Sequence, residues 1–301
     1  NPTSAVNAIA KSLKLNKDDE VISTNHIYGA LDRTWQYICD EKNAKFEKIK
    51  INFPINSKKE FLEIFLNSIT KNTKAIFISH LTSATAMIFP IKEIINFAKK
   101  NNILTIIDGA HIPGHIDLDL KKIDPDIYVG ACHKWMCTPK GVSFLYVKKE
   151  LQEQVHPLII SWGWNSDNPG ISKFLDWHEW QGTRDMSVFL TIPAAINFLH
   201  ENDWPTLSQI CKDKVIQLRN DFIDFLHFIP PCPNDWLGQM ASIPIPVTDP
   251  ENFKNKLLSD YNIQIPVFKW EDKTLLRYSI QAYNSDEELE KLLHAVKELL
   301  N

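Results

Sequence analysis

The sequence predicts an α/β protein with a mainly parallel sheet, and two features of the chain point to this class. Helix-like and strand-like segments alternate along most of its length. Two of the strand-like segments, Ile103 to Ile107 and Ile127 to Val129, are continuous apolar runs. Such runs are typical of parallel strands that are buried on both faces. We therefore expect a doubly wound sheet that binds its ligand beyond the carboxyl ends of the strands.

The helices around this sheet are predicted from the spacing of apolar residues and from residue types that favour the first turn of a helix. They are Ser4 to Leu15, Ala30 to Cys39, Lys59 to Ile69, Pro90 to Lys100 and Met186 to Phe198. We expect Thr3 or Ser4 to cap the first helix, and Pro90 to lie in the first turn of its helix. The strands predicted between them, besides the two apolar runs, are Glu20 to Ser23, Phe46 to Ile51, Ala75 to Ser79 and Val142 to Val147.

A length of 301 residues favours two domains. We expect a large domain over residues 1–198 and a smaller α/β domain over residues 199–301. The smaller domain begins with a long predicted helix, Trp204 to Leu226, and contains strands at Met240 to Ile245 and Leu275 to Ile280. A terminal helix follows from Ser285 to Leu300, with Ser285 as its cap and acidic residues in its first turn.

Composition excludes several classes of function. The hydrophobic content of 44% and the charged content of 23% are ordinary for a globular protein in water. A net charge of -4 with no basic run argues against a nucleic-acid partner. The five cysteines are odd in number and form no CxxC pair, so neither a disulfide framework nor a metal site is indicated. We expect a reducing, cytoplasmic location, and the absence of a long apolar run argues against a membrane span or signal peptide.

Two motifs stand directly after the two apolar strands. Asp108-Gly109-Ala110-His111 follows the first, and Ala131-Cys132-His133-Lys134-Trp135 follows the second. A carboxylate and a lysine should therefore face one crevice at neighbouring strand ends. This is the pair that pyridoxal phosphate needs, with the lysine for a Schiff base and the acid for the pyridine nitrogen. A surface salt bridge is the alternative interpretation.

The two motifs resemble the class V aminotransferase family of pyridoxal-phosphate enzymes, in which DGAH or DAAQ follows one strand and HKW or HK the next. Pro139-Lys140-Gly141-Val142 continues the family's turn into a strand. Within the family the chain resembles the isopenicillin-N epimerase-like branch. The motifs of that branch are His26-Ile27-Tyr28-Gly29-Ala30, His80-Leu81-Thr82-Ser83-Ala84-Thr85, Cys132-His133-Lys134-Trp135 and Trp180-Gln181-Gly182-Thr183-Arg184-Asp185.

The resemblance covers nearly the whole chain and implies the fold of the PLP-dependent transferases, fold type I. It implies pyridoxal 5'-phosphate as the cofactor and an amino acid as the substrate. Relatives carry a further segment before the position of Asn1 that helps to form the mouth of the active site. We therefore expect this chain to lack an opening segment.

The resemblance assigns roles to three residues around the cofactor ring. Lys134 would form the Schiff base and then serve as the proton-transfer base at Cα. Asp108 would keep the pyridine nitrogen protonated, and His111 would touch the phenolic oxygen. The alternatives are an exposed lysine, a capping or ion-paired aspartate and a structural histidine.

A second group of residues would hold the phosphate. Thr3 and Ser4 lie at a helix start, which favours anions, although an ordinary helix cap would look the same. His133 matches a family phosphate contact, while Ala131 replaces a residue that is often Ser or Asn. Thr183 matches a residue that reaches the phosphate of the other subunit, which implies a homodimer with composite sites.

Three more residues are candidates for binding and catalysis. Tyr28 stands where relatives place a ring over the cofactor. A tyrosine packed at an ordinary helix start is the alternative interpretation, and His26 is the alternative occupant of the position. Ser83 matches a position near the cofactor oxygen and the substrate. Arg277 matches an arginine that binds the substrate carboxylate, and an edge-strand arginine without a ligand is the alternative.

The branch implies an epimerase-like reaction at Cα, with Lys134 on one face and Tyr28 or a water on the other. A C–S lyase, an aminotransferase or a non-catalytic cofactor-binding protein are the alternatives. A cysteine desulfurase is rejected because no cysteine lies between Tyr261 and Arg277, although Cys232 could be a displaced nucleophile. Four tryptophans could line the substrate mouth or a dimer interface: Trp162, Trp164, Trp177 and Trp180.

Overall fold

A six-stranded sheet forms the centre of the protein in a computed structural model that describes residues 1–301. Its strands are β1 (Glu20–Thr24), β2 (Lys45–Ile49), β3 (Thr73–Ser79), β4 (Leu104–Gly109), β5 (Ile127–Ala131) and β6 (Ser143–Val147). They lie in the order β2-β1-β3-β4-β5-β6, and only the β5–β6 pair is antiparallel. The predicted α/β class with a mainly parallel sheet is therefore confirmed.

Helices cover both faces of this sheet, as the continuous apolar strands required. The cluster on one face contains α1 (Pro2–Ser12) and α2 (Gly29–Glu41), and the cluster on the other contains α3 (Lys58–Leu66) and α4 (Ile91–Lys100). Successive strand residues point to opposite faces, so Ile106 belongs to the first cluster and Ile107 to the second. Both side chains are completely buried.

Two details of these helices differ from the predictions. The first helix begins two residues earlier than predicted, and its cap is Asn1, whose Oδ1 accepts a hydrogen bond from Ser4 N at 3.0 Å. Thr3 and Ser4 therefore lie inside the first turn and do not cap it. Pro90 is the N-cap residue of α4 and not a first-turn residue.

The segment between the two sheets is less regular than predicted. It contains the short helix α6 (Lys173–Glu179) and then α7 (Ile192–Glu201), while another short helix, α5 (Leu120–Ile123), lies earlier, between β4 and β5. The single helix predicted from Met186 to Phe198 is wrong, because a 3-10 turn over Ser187–Thr191 precedes α7. Pro193 explains the break: proline has no N–H to donate to the preceding turn, so the α-helix starts beside it.

A second sheet follows in the C-terminal part. Its helices are α8 (Trp204–Leu226), α9 (Pro250–Tyr261) and α10 (Asp286–Leu300), and its antiparallel strands are β7 (Met240–Ile245), β8 (Val267–Trp270) and β9 (Lys273–Ser279) in the order β7-β9-β8. The predicted bounds of α8 and β7 and the Ser285 cap are confirmed, whereas β8 and α9 were not predicted.

The apolar core of the second sheet is continuous with that of the first. Ile243 and Leu276 belong to the same buried cluster as Ile107. The boundary between residues 198 and 199 stays a prediction. None of the helices is both long enough and apolar enough to cross a membrane.

Candidate active site

A cavity of about 180 Å³ lies at the carboxyl ends of β4 and β5, where the two motifs meet. Its walls contain seven of the predicted site residues: Thr3, Tyr28, Ser83, Asp108, His111, His133 and Lys134. The remaining lining residues are Asn1, Pro2, Leu31, Leu81 and Ala110. The structure thus brings together residues that are up to about 130 positions apart in the chain, as expected for strand ends of a parallel sheet.

Asp108 is the penultimate residue of β4 and is only 5% exposed. Its Oδ1 accepts a hydrogen bond from Ala110 N at 3.1 Å, and the Ser79 hydroxyl also contacts the carboxyl group. Burial raises the pKa of Asp108, while the Ala110 N–H and the positive charge of Lys134 oppose that rise. The carboxylate is therefore poised to take a cationic partner in the cavity.

Lys134 lies in the turn that joins β5 to β6. The turn is anchored by His133, whose Nδ1 lies 2.9 Å from the carbonyl oxygen of Val142. The Lys134 side chain reaches solvent through the cavity, and its Nζ lies 3.1 Å from His111 Nε2. Desolvation lowers the pKa of the Lys134 amine, although the charge of Asp108 acts in the opposite direction.

Gly109 lets a buried tyrosine pass directly behind the Asp108 motif. A Cβ atom at Gly109 would lie 2.1 Å from the ring of Tyr128. The Tyr128 hydroxyl is 2.9 Å from Nδ1 of His80, and both rings are buried. A glycine inside a strand is the sequence signal for such a close approach, and this contact was not predicted from the sequence.

The two candidate phosphate residues of α1 are separated by the structure. Thr3 is half-buried and lines the cavity. Ser4 is exposed outside the cavity, where its hydroxyl lies 3.4 Å from Asn1 Oδ1. The helix start therefore presents Thr3, and not the side chain of Ser4, to an anion in the cavity.

Tyr28 and His26 also have different environments. Tyr28 lines the cavity with 47% of its surface exposed. His26 is completely buried, with Nδ1 2.7 Å from Thr85 Oγ1 and Nε2 2.9 Å from the carbonyl oxygen of Ile51. The available ring at this edge of the cavity belongs to Tyr28.

Arg277 does not line the cavity but contacts a residue that does. Its Nη1 donates to the carbonyl oxygen of Ser83 at 2.5 Å and lies 3.1 Å from Ser83 Oγ. Its Nε is buried and has no hydrogen-bond partner in the protein. A buried N–H group without a partner is costly, and this one is a donor that remains unused within the protein.

Thr183 and the four tryptophans do not line the cavity. Thr183 is exposed. Trp177 is buried and stacks on Trp164 at a centroid distance of 4.4 Å, whereas Trp162 and Trp180 are exposed. None of the four tryptophans lines the cavity of this chain, so their proposed place at its mouth is not supported within one subunit.

The cysteines are not placed as nucleophiles. None of the five lines the cavity. Cys232 is 3% exposed, and burial raises its pKa to about 11. Cys132 is also buried, as expected from the alternation of side chains along β5.

Comparison with known proteins places these features in one family. The family model described as Aminotransferase class-V matches residues 1–292. The chain belongs to the class V aminotransferase family. The cofactor that this membership indicates is pyridoxal phosphate.

Individual relatives agree with this assignment. The chain is 29% identical to an isopenicillin N epimerase from Amycolatopsis lactamdurans over 314 residues, covering 99% of this chain and 79% of the relative. It is 24% identical to an L-cysteine desulfhydrase from Arabidopsis thaliana, covering 95% of this chain and 69% of the relative. A cysteine desulfurase structure from Thermococcus onnurineus NA1 shares the fold with a TM-score of 0.84 at 20% identity, covering 100% and 78% of the two chains.

The cavity fits pyridoxal phosphate on its own geometry. It joins a buried carboxyl group, a lysine amine and the first turn of α1 within one enclosure. Asp108 suits a protonated pyridine nitrogen, Lys134 suits the aldehyde, and Thr3 with His133 suits the phosphate.

Proposed function

We propose that this enzyme acts at the α-carbon of an amino acid, in the manner of an epimerase. The observation that carries the proposal is that Lys134 and Tyr28 line the same cavity from different elements, one from the turn after β5 and one from the start of α2. Stereoinversion requires a proton to leave Cα on one side and return on the other. The amine and the phenol are two separate groups that can serve these two steps.

When bound, pyridoxal phosphate supplies an electron sink for the charge left at Cα after the proton departs. Lys134 would hold the cofactor covalently, and once the amino group of the substrate has displaced it, the freed Lys134 amine would take the α proton. The lowered pKa of Lys134 favours the neutral amine that this step needs. Asp108 keeps a proton on the pyridine nitrogen by presenting a buried negative charge to it.

Arg277 binds the α-carboxylate of the substrate. Its Nη1 is occupied by Ser83, while its buried Nε has an unused N–H. A guanidinium binds a carboxylate through parallel hydrogen bonds, which fixes the orientation of the substrate as well as its charge. Ser83, which contacts Arg277 and lines the cavity, links the carboxylate end to the reacting carbon.

Tyr28 supplies the returning proton. Its hydroxyl makes no capping contact with α2, and nearly half of its side chain is exposed at the cavity. The phenol is therefore free to approach the substrate. Replacing Tyr28 by Phe should preserve proton exchange on the Lys134 side and stop inversion.

A C–S lyase is the second candidate, favoured by the matches to L-cysteine desulfhydrases. The chain has no cysteine in the cavity, so it offers no thiol to accept sulfur from a substrate. Sulfur would then leave by β-elimination as sulfide or a thiol. The α-proton step by Lys134 is common to both candidates.

One experiment separates the candidates. The cofactor-loaded enzyme is incubated in D₂O with the two enantiomers of each amino acid in a panel that includes cysteine. An epimerase produces the opposite enantiomer with deuterium at Cα and releases no ammonia. A lyase instead releases ammonia, a 2-oxo acid and sulfide. If no amino acid gains deuterium at Cα and none releases ammonia, both candidates are contradicted, and Lys134→Ala is the control for background exchange.

We also propose that the enzyme is a cytoplasmic homodimer with composite sites. Most of the exposed large apolar side chains of the protein lie between Leu158 and Phe198, the segment that carries Thr183. Trp162 is 81% exposed, and Leu190 is 79% exposed. A second copy of this chain would cover this surface, and Thr183 would then reach the partner's cavity. The five cysteines are all unpaired, which suits a reducing compartment.

Complementation tests the composite site. Lys134→Ala and Thr183→Ala variants are each prepared, mixed, dissociated and reassociated. A mixed dimer contains one site with both Lys134 and Thr183 intact, so activity should return on mixing. Each variant taken alone through the same procedure is the control. A monomeric mass in solution, or no recovery on mixing, would contradict the composite site.

A further inference from the structure

His111 has a neighbour on each of its ring nitrogens. Its Nε2 lies 3.1 Å from Lys134 Nζ, and its Nδ1 lies 3.3 Å from the indole Nε1 of Trp135. The His111 and Trp135 side chains are 9% and 8% exposed. Little water can therefore compete for these contacts, and the neighbours determine which nitrogen carries the proton.

The Trp135 contact allows only one direction of hydrogen bonding. An indole nitrogen is a donor and has no lone pair to accept with. Nδ1 of His111 must therefore accept, so it carries no hydrogen. Burial lowers the pKa of His111 well below its usual range, so the ring is neutral and its single hydrogen is on Nε2. That N–H points toward Lys134, and the Lys134 amine can accept it only in its neutral form.

We propose that Trp135 is a positioning residue that fixes His111 as a hydrogen-bond donor to the Lys134 end of the cavity. His111 then cannot take a proton from Lys134, and Lys134 is the base of the pair. An Nε2–H is also the form that can donate to an oxygen of a ligand bound beside Lys134. The tautomer depends only on contacts within this chain, whereas its use in catalysis rests on the proposed function.

Trp135 has contacts of its own, one through its ring and one through its backbone. It packs on His115 at a centroid distance of 3.9 Å, and its carbonyl oxygen accepts from Gln281 Nε2 at 3.4 Å. His115 Nε2 accepts from Gln239 N at 2.5 Å, so its proton is on Nδ1, which donates to the carbonyl oxygen of His111 at 2.9 Å. In the hydrogen bonds among His111, His115, Trp135 and Gln239, every donor faces an acceptor. This agreement supports a proton on Nε2 of His111 and on Nδ1 of His115.

Nuclear magnetic resonance on the cofactor-free protein tests the tautomer directly. Protein labelled with ¹⁵N-histidine gives long-range ¹⁵N–¹H correlations that distinguish a protonated ring nitrogen from a bare one. The His111 signals are identified by their loss in His111→Gln. We expect Nδ1 to be bare and Nε2 protonated in the wild type, and a population with Nδ1 protonated to appear in Trp135→Phe. A wild-type ring protonated on Nδ1 would overturn the proposal, whether or not the Trp135 variant folds.

A double-mutant cycle then tests the role in turnover. A glutamine at position 111 can present an N–H by rotating its amide, without help from Trp135. Trp135→Phe should lower turnover by about tenfold in the wild type, the equivalent of one misplaced hydrogen bond. The same change should have little effect in the His111→Gln background. An equal loss in both backgrounds would mean that Trp135 acts only through packing. If no substrate is turned over, the proposed function fails and the resonance result still decides the tautomer.

Discussion

Asp108 and Lys134 line one cavity, and the charge of each favours the charged form of the other. Desolvation raises the pKa of Asp108 and lowers the pKa of Lys134, and their mutual attraction opposes both shifts. Asp108 lies near the end of β4 and Lys134 in the turn after the neighbouring parallel strand β5, so the sheet brings the two residues together. A buried carboxyl group beside a lysine whose amine is shifted toward its neutral form suits a cofactor that is positive at its ring nitrogen and reactive toward an amine.

Removing the charge of Asp108 should impair catalysis more than folding. Asp108→Asn keeps an oxygen for the N–H of Ala110 but loses the negative charge. We expect turnover to fall by about 100-fold, a loss typical of one preorganised electrostatic contact. Steady-state kinetics of the cofactor-loaded variant, with its thermal unfolding as the folding control, measures this. Wild-type turnover in Asp108→Asn would contradict a role at the pyridine nitrogen.

Arg277→Lys should weaken the selection of a carboxylate. Lysine keeps the charge but loses the paired N–H groups, so kcat/KM for the amino acid should fall by about 10- to 100-fold. The amide of the same amino acid has no carboxylate and provides the matched control. Wild type and variant should use that amide equally poorly. A loss of the same size on the amide would show that Arg277 acts by holding Ser83 in place.

The buried histidines should make the protein unstable in mild acid. Burial lowers the pKa of His26 and His80 to about 4 and that of His115 to about 3, from an unperturbed 6.5. Below pH 6.5 the unfolded chain therefore binds protons that the folded protein excludes, so the free energy of unfolding falls as the pH falls. Each histidine contributes a slope of about 1.4 kcal/mol per pH unit. Above about pH 6.5 these histidines are neutral in both the folded and the unfolded chain, so they no longer reduce the free energy of unfolding.

Urea unfolding of the cofactor-free protein between pH 7.5 and about 5 measures this slope, above the range in which surface carboxylates titrate. His80→Asn should reduce the slope, whereas a change at the exposed His294 to Gln should leave it unaltered. A free energy of unfolding that stays constant over this range would contradict neutral buried histidines.

Gly238→Ala should displace His115. An added Cβ would lie 2.3 Å from His115 Nε2, which accepts the N–H of Gln239. We expect a loss of about 1–3 kcal/mol of stability, as for an overpacked core. Gly29→Ala is the matched control, because its Cβ would meet only the end of the Arg33 side chain, at 3.3 Å. Equal unfolding midpoints in urea for the two variants would contradict this packing.

The central site was predictable from the sequence because it depends on the ends of buried strands. Asp108 and Lys134 each follow an apolar run, and parallel strands bring their carboxyl ends together. Thr3, at the start of α1, was found for a similar reason, since helix starts bind anions. Local sequence and general topology predicted that these residues lie at one edge of the sheet, and the resemblance to the family supplied the roles expected of them.

Other features depend on contacts that no local pattern encodes. His115 contacts Gln239, which is 124 residues away in the chain, and it also packs on Trp135. The spacing of residues in the sequence could not reveal either contact. The cap of α1 was misassigned because Asn1, Thr3 and Ser4 are all good cap residues. The strand β8 has only four residues and lacked a clear alternation.

The covalent role of Lys134 is the central claim, and borohydride reduction tests it most directly. The purified protein is loaded with pyridoxal phosphate, reduced and digested, and the modified peptide is identified by mass. The account predicts a visible absorption band that reduction removes, and a cofactor adduct on the peptide that carries Lys134. The adduct should be absent from Lys134→Ala and present in a variant of the exposed neighbour, Lys140→Ala. An adduct on another lysine, or no adduct and no band, would contradict the account.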